Sequence, residues 1–330
     1  MPRQTRLDAP GTLHHLISRG IEGSKIFRTR GDREDFLGRL AKLCEAKALS
    51  VYAWALLDTH FHLLVRSGNQ SLPHSMRRLL TGYVVNFNRR HKRYGHLFQN
   101  RYKSILCEED PYLLELTRYI HLNPLRVGIV KNLKELRFYA WSGHSTITGK
   151  QKRGWQDVEM VLGYFGRRKR KAIAAYENYV GEGIEKGRRP DLVGGGLIRS
   201  LGGWSEVLSL RRRGEKTASD ERILGSGEFI EQVLSETEEK ARETLRWRGR
   251  VSDLQSLLSK ISKKKGVEEQ QVRGRDQRRS VVSARKVFSQ MAVKRLGYSG
   301  AAVARFLGVT TSLVNRYASS EEMGNFDQYI

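Results

Sequence analysis

The first 122 residues alternate between two hydrophobic patterns, one typical of β-strands and the other typical of helices. Short apolar runs predict four strands, at residues 12–20, 49–57, 60–65 and 102–107. Apolar residues at helical spacing predict three helices, at residues 32–48, 71–94 and 110–122. The last helix is expected to stop before Pro124, because a proline restricts the backbone of the residue that precedes it. The order strand, helix, strand, strand, helix, strand, helix predicts an α+β domain with a ferredoxin-like antiparallel sheet covered by helices.

Charge is the second strong constraint. Lys and Arg together number 60 against 35 Asp and Glu, which leaves a net charge of +25 in 330 residues. An excess of this size indicates a polyanionic partner. No apolar run reaches the roughly 18 residues that span a bilayer, which excludes a membrane-embedded protein. The polar N-terminus and the two cysteines, Cys44 and Cys107, predict a cytoplasmic protein with reduced thiols and without a structural zinc finger.

All nine histidines lie before residue 145, so any imidazole chemistry is confined to the N-terminal part. Two of them form the motif His60-Phe61-His62 in the third predicted strand. Side chains two residues apart in a strand share a face, so His60 and His62 project together while Phe61 points to the other side. Such a pair can hold a divalent cation. Two half-exposed histidines that simply make hydrogen bonds are the alternative.

The segment Tyr119-Ile120-His121-Leu122-Asn123-Pro124 is the second unusual motif. On a helix, Tyr119 and Asn123 are four residues apart and lie on one face. Tyrosine can act as a covalent nucleophile, but a phenol with a pKa of about 10 reacts poorly at neutral pH. A catalytic tyrosine should therefore lie near a metal site, to which an amide oxygen can add a third ligand. A core tyrosine is the alternative, and Tyr102 and Tyr112 are rival candidates for the nucleophile.

Residues 14–130 resemble the HUH single-tyrosine transposases, and among them most closely the REP-associated tyrosine transposases. Three pieces carry the resemblance: His60-Phe61-His62, the segment Gly95-His96-Leu97-Phe98-Gln99-Asn100-Arg101-Tyr102, and Tyr119-Ile120-His121-Leu122-Asn123-Pro124. The resemblance implies a ferredoxin-like HUH nuclease domain that cuts and joins single-stranded DNA at hairpin-forming repeats.

The resemblance also implies a role for each motif residue. Tyr119 is expected to be the nucleophile and to form a 5′-phosphotyrosine intermediate, while His60, His62 and Asn123 are expected to hold a divalent metal ion, Mg²⁺ or Mn²⁺. The chain continues for about 200 residues beyond the tyrosine motif, whereas mobile members of the wider family largely end soon after it. Autonomous transposition and assembly as a monomer or a homodimer therefore stay open.

A basic segment between the two motifs predicts the DNA-binding surface. Single-stranded DNA needs cations for its phosphates and ring faces for its unpaired bases, and both are interleaved here. A solvated basic helix face is the alternative for any single residue, and the basic clusters at 167–171 and 211–213 fit phosphate contacts and solubility equally well. The predicted contacts are Arg77, Arg78, Arg89, Arg90, Lys92, Arg93, Arg101, Tyr102 and Lys103.

Beyond residue 145 the strand signals fade, and the C-terminal region is predicted to be mostly α-helical. Three domains are expected: a nuclease domain at 1–145, a basic and mainly helical extension at 146–275, and a helix-turn-helix DNA-binding domain at 276–330. Helices are predicted at 228–247 and 277–296 from their apolar spacing.

Residues 299–317 have the spacing of a helix-turn-helix and are similar to the C-terminal DNA-binding domain of bacterial replication initiators. Gly308 would allow the turn, and Thr310 or Ser312 would open the second helix. A plain helical hairpin that closes a core is the alternative. Four residues would pack the first helix: Ala301, Val303, Ala304 and Leu307. Four others would face a major groove: Thr311, Ser312, Asn315 and Arg316.

The sequence therefore predicts a metal-dependent, single-stranded DNA endonuclease and strand transferase with a C-terminal module that binds duplex DNA. A replication-initiator or relaxase-type nickase would use the same residue types, but the Tyr-x-x-x-Asn-Pro arrangement argues against it. The non-enzymatic alternative is a DNA- or RNA-binding regulator that has kept the fold and lost turnover. Every expected catalytic position is filled, which favours the enzyme.

Overall fold

The computed structural model describes residues 7–8, 11–187, 189, 192, 220–251, 253–274, 276–321 and 326–329. The chain divides into two compact units, Met1–Gln232 and Val233–Ile330. The helices and strands of the first unit are β1 (Leu13–Arg19), α1 (Arg30–Glu45), β2 (Leu49–Leu57), β3 (His60–Ser67), α2 (Leu72–Arg90), β4 (Lys103–Cys107), α3 (Glu109–Arg126), α4 (Leu133–Phe138), α5 (Gly143–Ile147), α6 (Val158–Gly163), α7 (Lys169–Glu182) and β5 (Ile223–Leu224).

The sheet has the strand order β2-β3-β1-β4-β5. β1 is antiparallel to both β3 and β4, and β2 is antiparallel to β3. These four strands with α1 and α2 have the ferredoxin-like connectivity, so the predicted α+β fold is confirmed. The short strand β5 pairs parallel to β4 and makes the sheet mixed rather than purely antiparallel. Two residues are too few to show a strand pattern in the sequence.

Each face of the sheet carries its own hydrophobic core. On one face, α1 and α2 pack against alternate residues of β3, among them Phe61 and Leu63. On the other face, hereafter the α3 face, Leu64 and Ile17 share one core with α3 and with α7, which packs against α3. The alternation along β3 thus buries Phe61 on one side of the sheet and places His60 and His62 on the other.

Helix α3 continues through Pro124 to Arg126, so the prediction that it ends before the proline is wrong. A proline has no N–H, which leaves the carbonyl of Ile120, four residues earlier, without its helical partner. The Asn123 side chain replaces that donor: its Nδ2 donates to Ile120 O at 3.4 Å and to Tyr119 O at 2.9 Å. Val127 N then donates to Asn123 O at 3.0 Å, which carries the helical bonding past the proline.

The second unit is helical in its described part. Helix α8 (Gly227–Arg250) contains the boundary between the units and covers the helix predicted at 228–247. The helix predicted at 277–296 ends earlier as an α-helix and closes with a π-helical turn, Met291–Arg295. The other helices are α9 (Leu254–Lys265), α10 (Glu269–Val272), α11 (Arg279–Gln290), α12 (Gly300–Leu307) and α13 (Thr311–Ser319).

Helices α12 and α13 are joined by the expected tight turn. Gly308 adopts a left-handed backbone with φ of 67°, and the Thr310 hydroxyl oxygen caps α13 by accepting from Leu313 N at 3.3 Å. Val303, Ala304 and Leu307 are buried as predicted, but Ala301 is exposed. The prediction for Ala301 is wrong because it lies two positions from Val303, which places it on the far side of a helix with 3.6 residues per turn.

The basic cluster at 211–213 lies outside the described residues. The helices within the described ranges include none that is both long and apolar enough to cross a membrane.

Candidate active site

Tyr119 and the two predicted metal-binding histidines meet on the α3 face of the sheet. The ring centroids of His60 and His62 are 5.3 Å apart. The Tyr119 ring, carried by α3, lies 5.8 Å from the His62 ring in an edge-on arrangement. The structure therefore brings together the phenol on a helix and the imidazole pair on a strand.

A third imidazole, that of His15 on β1, joins this cluster. Its ring centroid lies 5.2 Å from that of His62 and 6.0 Å from that of Tyr119. His15 Nε2 and His62 Nδ1 are 3.0 Å apart, a hydrogen-bonding distance. His15 was not predicted to belong to the site, because only the pairing of β1 with β3 places it there. Its position in a predicted strand, two residues from Ile17, was the available signal.

The Nδ1 atoms of both predicted ligands are engaged by the protein. His62 Nδ1 contacts His15, and His60 Nδ1 lies 3.1 Å from the Thr59 hydroxyl. Metal-binding histidines are commonly held in this way, with one ring nitrogen in a hydrogen bond that orients the other toward the ion. The Nε2 atoms of His60 and His62 are thus the nitrogens that these rings can direct at a cation.

Burial keeps these two imidazoles uncharged at neutral pH. Burial, reinforced by the positive charge of Arg19, lowers the pKa of His60 to about 4. Burial also holds the pKa of His62 well below its ordinary value, and protonation of the neighbouring His15 and His60 would oppose a further charge there. Because only a neutral imidazole offers a lone pair, the donor set fits a divalent cation.

Within the described ranges, no group of three or more His, Cys, Asp or Glu side chains is arranged to hold a metal ion. A cation at His60 and His62 would therefore need a ligand of another kind from the protein. Asn123 is such a residue, on the same helix as Tyr119 and buried. Its Nδ2 atom is committed to the backbone of α3, so Oδ1 is the atom that it can present.

Arg126 is the second residue that sequence analysis missed. Its guanidinium carbon lies 5.0 Å from the centre of the Tyr119 ring, and Nη1 donates to Tyr119 O at 3.2 Å. Burial lowers the pKa of Arg126, and the nearby Tyr119 opposes that effect. An arginine nevertheless stays charged at neutral pH. Arg126 therefore places a fixed positive charge beside the phenol. It lies seven residues after Tyr119 on α3, beyond the point at which the sequence predicted this helix to end.

Residues 11–123 match the family described as "Transposase IS200 like". The predicted resemblance to this family is confirmed for that segment, hereafter the IS200-like segment, which contains His15, His60, His62, Tyr119 and Asn123. A solved structure titled "Structure of the REP associates tyrosine transposase bound to a REP hairpin" is similar at 15% identity and a TM-score of 0.37, over 46% of this chain and 89% of that chain. No curated protein gave a significant match.

Residues after the IS200-like segment support the helix that carries Tyr119. The Tyr176 hydroxyl, on α7, lies 2.7 Å from His121 Nδ1 and 2.9 Å from His144 Nδ1. All three side chains are buried. This network links α3 to α5 and α7, so the position of Tyr119 depends on side chains up to 57 residues further along the chain.

The predicted DNA-binding residues of the first unit differ in how they are placed. Arg90 forms ion pairs with Asp32 and Asp35, and Arg93 donates to His96 O at 3.1 Å. The Tyr102 side chain is 7% exposed and packs in the core beneath α1 and α2, and it also lines a groove beside α2. The remaining six cations are exposed: Arg77, Arg78, Arg89, Lys92, Arg101 and Lys103.

Two adjoining grooves of about 480 and 580 Å³ run between α2 and residues 95–102 of the IS200-like segment. Leu80, Thr81 and Arg101 line both grooves, and Arg77 lines one of them. The Tyr94 ring, just beyond α2, is 94% exposed. Exposed cations and an exposed ring beside a groove are the features that single-stranded DNA requires.

In the second unit, Thr311, Ser312 and Arg316 are exposed on α13. Asn315 is half-buried, and its Oδ1 lies close to the backbone of Gly300. A Cβ atom at position 300 would lie only 2.2 Å from Asn315 Oδ1. The contact of α12 with α13 thus depends on a glycine at that point. The predicted role of these four residues in binding a major groove stays a prediction.

Proposed function

We propose that this protein is a tyrosine transposase or nuclease that cleaves and rejoins single-stranded DNA at hairpin-forming repeats. The observation that carries the proposal is the Tyr119 ring packed 5.8 Å from the His62 ring, inside a segment that matches the IS200-like transposases. The positive charge of the chain supports a DNA partner.

Tyr119 Oη would attack the scissile phosphorus. The new bond joins Oη to phosphorus, the bond from phosphorus to the deoxyribose 3′-oxygen breaks, and the 5′ end of the strand stays linked to the protein as a phosphotyrosine. The phenol proton of Tyr119 is released to water, and the departing 3′-oxygen takes up a proton from water to become a hydroxyl. A phosphodiester is exchanged for another, so a free 3′-hydroxyl can reverse the step and join strands without a nucleotide cofactor. When bound, Mg²⁺ or Mn²⁺ would supply positive charge next to the scissile phosphate, and His60, His62 and Asn123 would hold it.

Arg126 would stabilise the reactive form of Tyr119. A cation within about 5 Å favours the charged form of an ionisable group, so Arg126 would lower the free energy of the phenolate. The hydrogen bond from Arg126 to Tyr119 O also fixes the guanidinium relative to the ring. Tyr119, the histidines and Arg126 together would bind, orient and activate the reacting atoms.

The exposed cations around α2 would bind the strand that is cut, and α13 would bind duplex such as a hairpin stem. Phosphate contacts position nucleic acid, while base-edge contacts give specificity. In α13, Thr311, Ser312, Asn315 and Arg316 would supply the latter.

The test of the proposed function is covalent trapping. The full chain is incubated with a labelled single-stranded hairpin and Mn²⁺, and denaturing electrophoresis reports a protein-DNA adduct. We expect the adduct to disappear when EDTA removes the metal, and to fall at least about a hundredfold in His60→Ala, since loss of the cation removes several kcal/mol of stabilisation. Hairpin binding should be retained in both cases. An adduct that is insensitive to EDTA would contradict the metal role, and a wild-type protein that forms no adduct would favour a binding protein without turnover.

Arg126→Gln is expected to slow adduct formation by about tenfold to a hundredfold, because it removes a preorganised charge next to the nucleophile. The dependence of the rate on pH should also change, with the rise in rate moving to higher pH since the phenolate is less stable. Arg126→Lys should restore part of the rate. Arg30→Gln is the matched control, because Arg30 is an exposed arginine at the start of α1, on the other face of the sheet of the same unit. An unchanged rate and pH profile in Arg126→Gln would rule out this role.

A further inference from the structure

Two basic clusters that are separate in the sequence line one groove on the first unit. The groove has a volume of about 1100 Å³ and lies between the start of the edge strand β2, the end of α1 and the start of α7. Lys152 and Arg153 line it from the loop before α6, and Arg167 and Lys169 line it from the start of α7. The tertiary structure, rather than the spacing of these residues in the chain, makes them neighbours.

Among the described residues, the cations on the α7 side have no partner of opposite charge. All five residues from Arg167 to Lys171 are exposed, and in the described part of the chain none of them forms an ion pair. Arg153, by contrast, is neutralised by Glu34 at 3.1 Å. Of the acidic side chains that line the groove, Asp157 caps α6 by accepting from Met160 N at 3.0 Å. Glu45 and Glu159 are the other acidic lining residues, so Lys152, Arg167 and Lys169 face three carboxylates within the groove. The excess positive charge comes from Arg168, Arg170 and Lys171, which are exposed next to it.

The position of this cluster on α7 is unfavourable for the isolated protein. The N-terminal end of a helix carries a partial positive charge, at which acidic residues are stabilising and basic residues are not. The first turn of α7 contains no acidic residue, and the capping position, Arg168, accepts no hydrogen bond through its side chain. Five like charges at this end of a helix are stabilised when a polyanion lies against them.

The floor of the groove suits an extended strand rather than a duplex. Trp155 lines it, half-buried, with its ring centroid 5.6 Å from that of Trp54. Gly149, Gly154 and Gly166 also line it, and a Cβ at any of these positions would meet no atom within 4 Å. Cations beside an indole, with open space along the backbone, are the combination that binds unpaired nucleic acid.

We propose that this groove binds a second, uncleaved segment of single-stranded DNA that extends from the strand held at Tyr119. The assignment of DNA rests on the proposed function. The groove lies at the Leu49 end of β2, whereas the Leu57 end pairs with His60, and eight residues of strand separate these ends by about 26 Å. The groove is therefore a site for flanking sequence, distinct from the site of cleavage.

The test compares Arg167→Gln/Lys169→Gln with the control Lys131→Gln/Lys134→Gln, which removes two exposed charges elsewhere on the same unit. Affinity is measured for a DNA hairpin without a tail and for hairpins whose single-stranded tails grow by a few nucleotides at a time. We expect the wild type and the control to bind more tightly once the tail reaches a threshold length. The groove variant should lose this gain, which amounts to roughly tenfold in affinity. The steepness of the plot of log affinity against log salt should also fall by about 1.4 for hairpins with the long tail, and it should stay unchanged for the hairpin without a tail.

Three outcomes would overturn the proposal. In the first, the tail adds no affinity in the wild type. In the second, the groove variant loses the same affinity for hairpins with and without a tail. In the third, an RNA tail binds more tightly than a DNA tail. The proposed function is tested separately by the covalent adduct. Tail binding that depends on Arg167 and Lys169 without any adduct would support the proposed groove and contradict the nuclease activity. An adduct without any effect of the tail on affinity would support the nuclease activity and contradict the proposed groove.

Discussion

Tyr119→Phe is expected to abolish the covalent protein-DNA adduct. The substitution removes a single oxygen atom, the one that would form the bond to phosphorus, and it keeps the ring that packs against His15, His62 and Arg126. Fold and hairpin binding should therefore be unchanged, while the adduct drops below detection. Removal of a catalytic nucleophile in other enzymes costs on the order of a millionfold in turnover, which makes this the largest expected effect.

Tyr112→Phe is the matched control, because Tyr112 also lies on α3 and packs against the same core as Tyr119. We expect its adduct yield to equal that of the wild type. The linked residue should also be identified by mass spectrometry of the digested adduct. An adduct that persists in Tyr119→Phe and is lost in Tyr112→Phe would move the nucleophile to Tyr112 and contradict the proposed site.

Acidification is expected to destabilise the first unit strongly. Burial lowers the pKa of His14 to about 4, and burial together with the charge of Arg137 lowers that of His144 to about 4. In the unfolded chain both titrate near the ordinary value of about 6.5, so the unfolded state takes up protons first. Their contribution to stability is complete above pH 6.5 and is lost as the pH falls toward 4. At about 3 kcal/mol for each histidine, the loss is comparable to the whole stability of a typical domain.

The second unit is an internal control for this prediction, because residues 233–330 contain no histidine. Hydrogen-deuterium exchange followed by mass spectrometry, between pH 7 and pH 4 with rates corrected for intrinsic exchange, reports the two units separately. We expect protection in β1 and α5 to collapse across this range and protection in α11 to change much less. Equal losses in both units would show that the buried histidines do not cause the acid sensitivity.

Local patterns predicted most of the first unit because each strand and helix of the sheet repeats its hydrophobic residues at its own period. The strand period also placed His60 and His62 on one face before any tertiary information. The same reasoning failed at Pro124, where the rule that proline ends a helix is overridden by the Asn123 side chain. It also gave no account of β5, whose two residues add to the sheet from more than 100 positions beyond β4.

Arg126, His15 and Tyr176 show why the rest of the site was not predictable. Arg126 reaches Tyr119 because α3 continues past the proline, and His15 reaches His62 because β1 pairs with β3. Tyr176 reaches His121 because α7 packs on the α3 face. Each contact depends on which helices and strands pack next to each other in the fold. Hydrophobic periodicity predicts the type of each element but not its neighbours.

The sequence by itself determined the α+β class, the shared face of the two histidines, the positive charge and the motifs that match the IS200-like transposases, since all of these follow from residue type and spacing along the chain. Only the tertiary structure decided that the Tyr119 ring lies against those histidines, that Arg126 places its charge beside it, and that two separate basic clusters line one groove. Contacts between distant residues arise when whole faces are buried against each other, and that burial is set by the complete fold rather than by any segment of it.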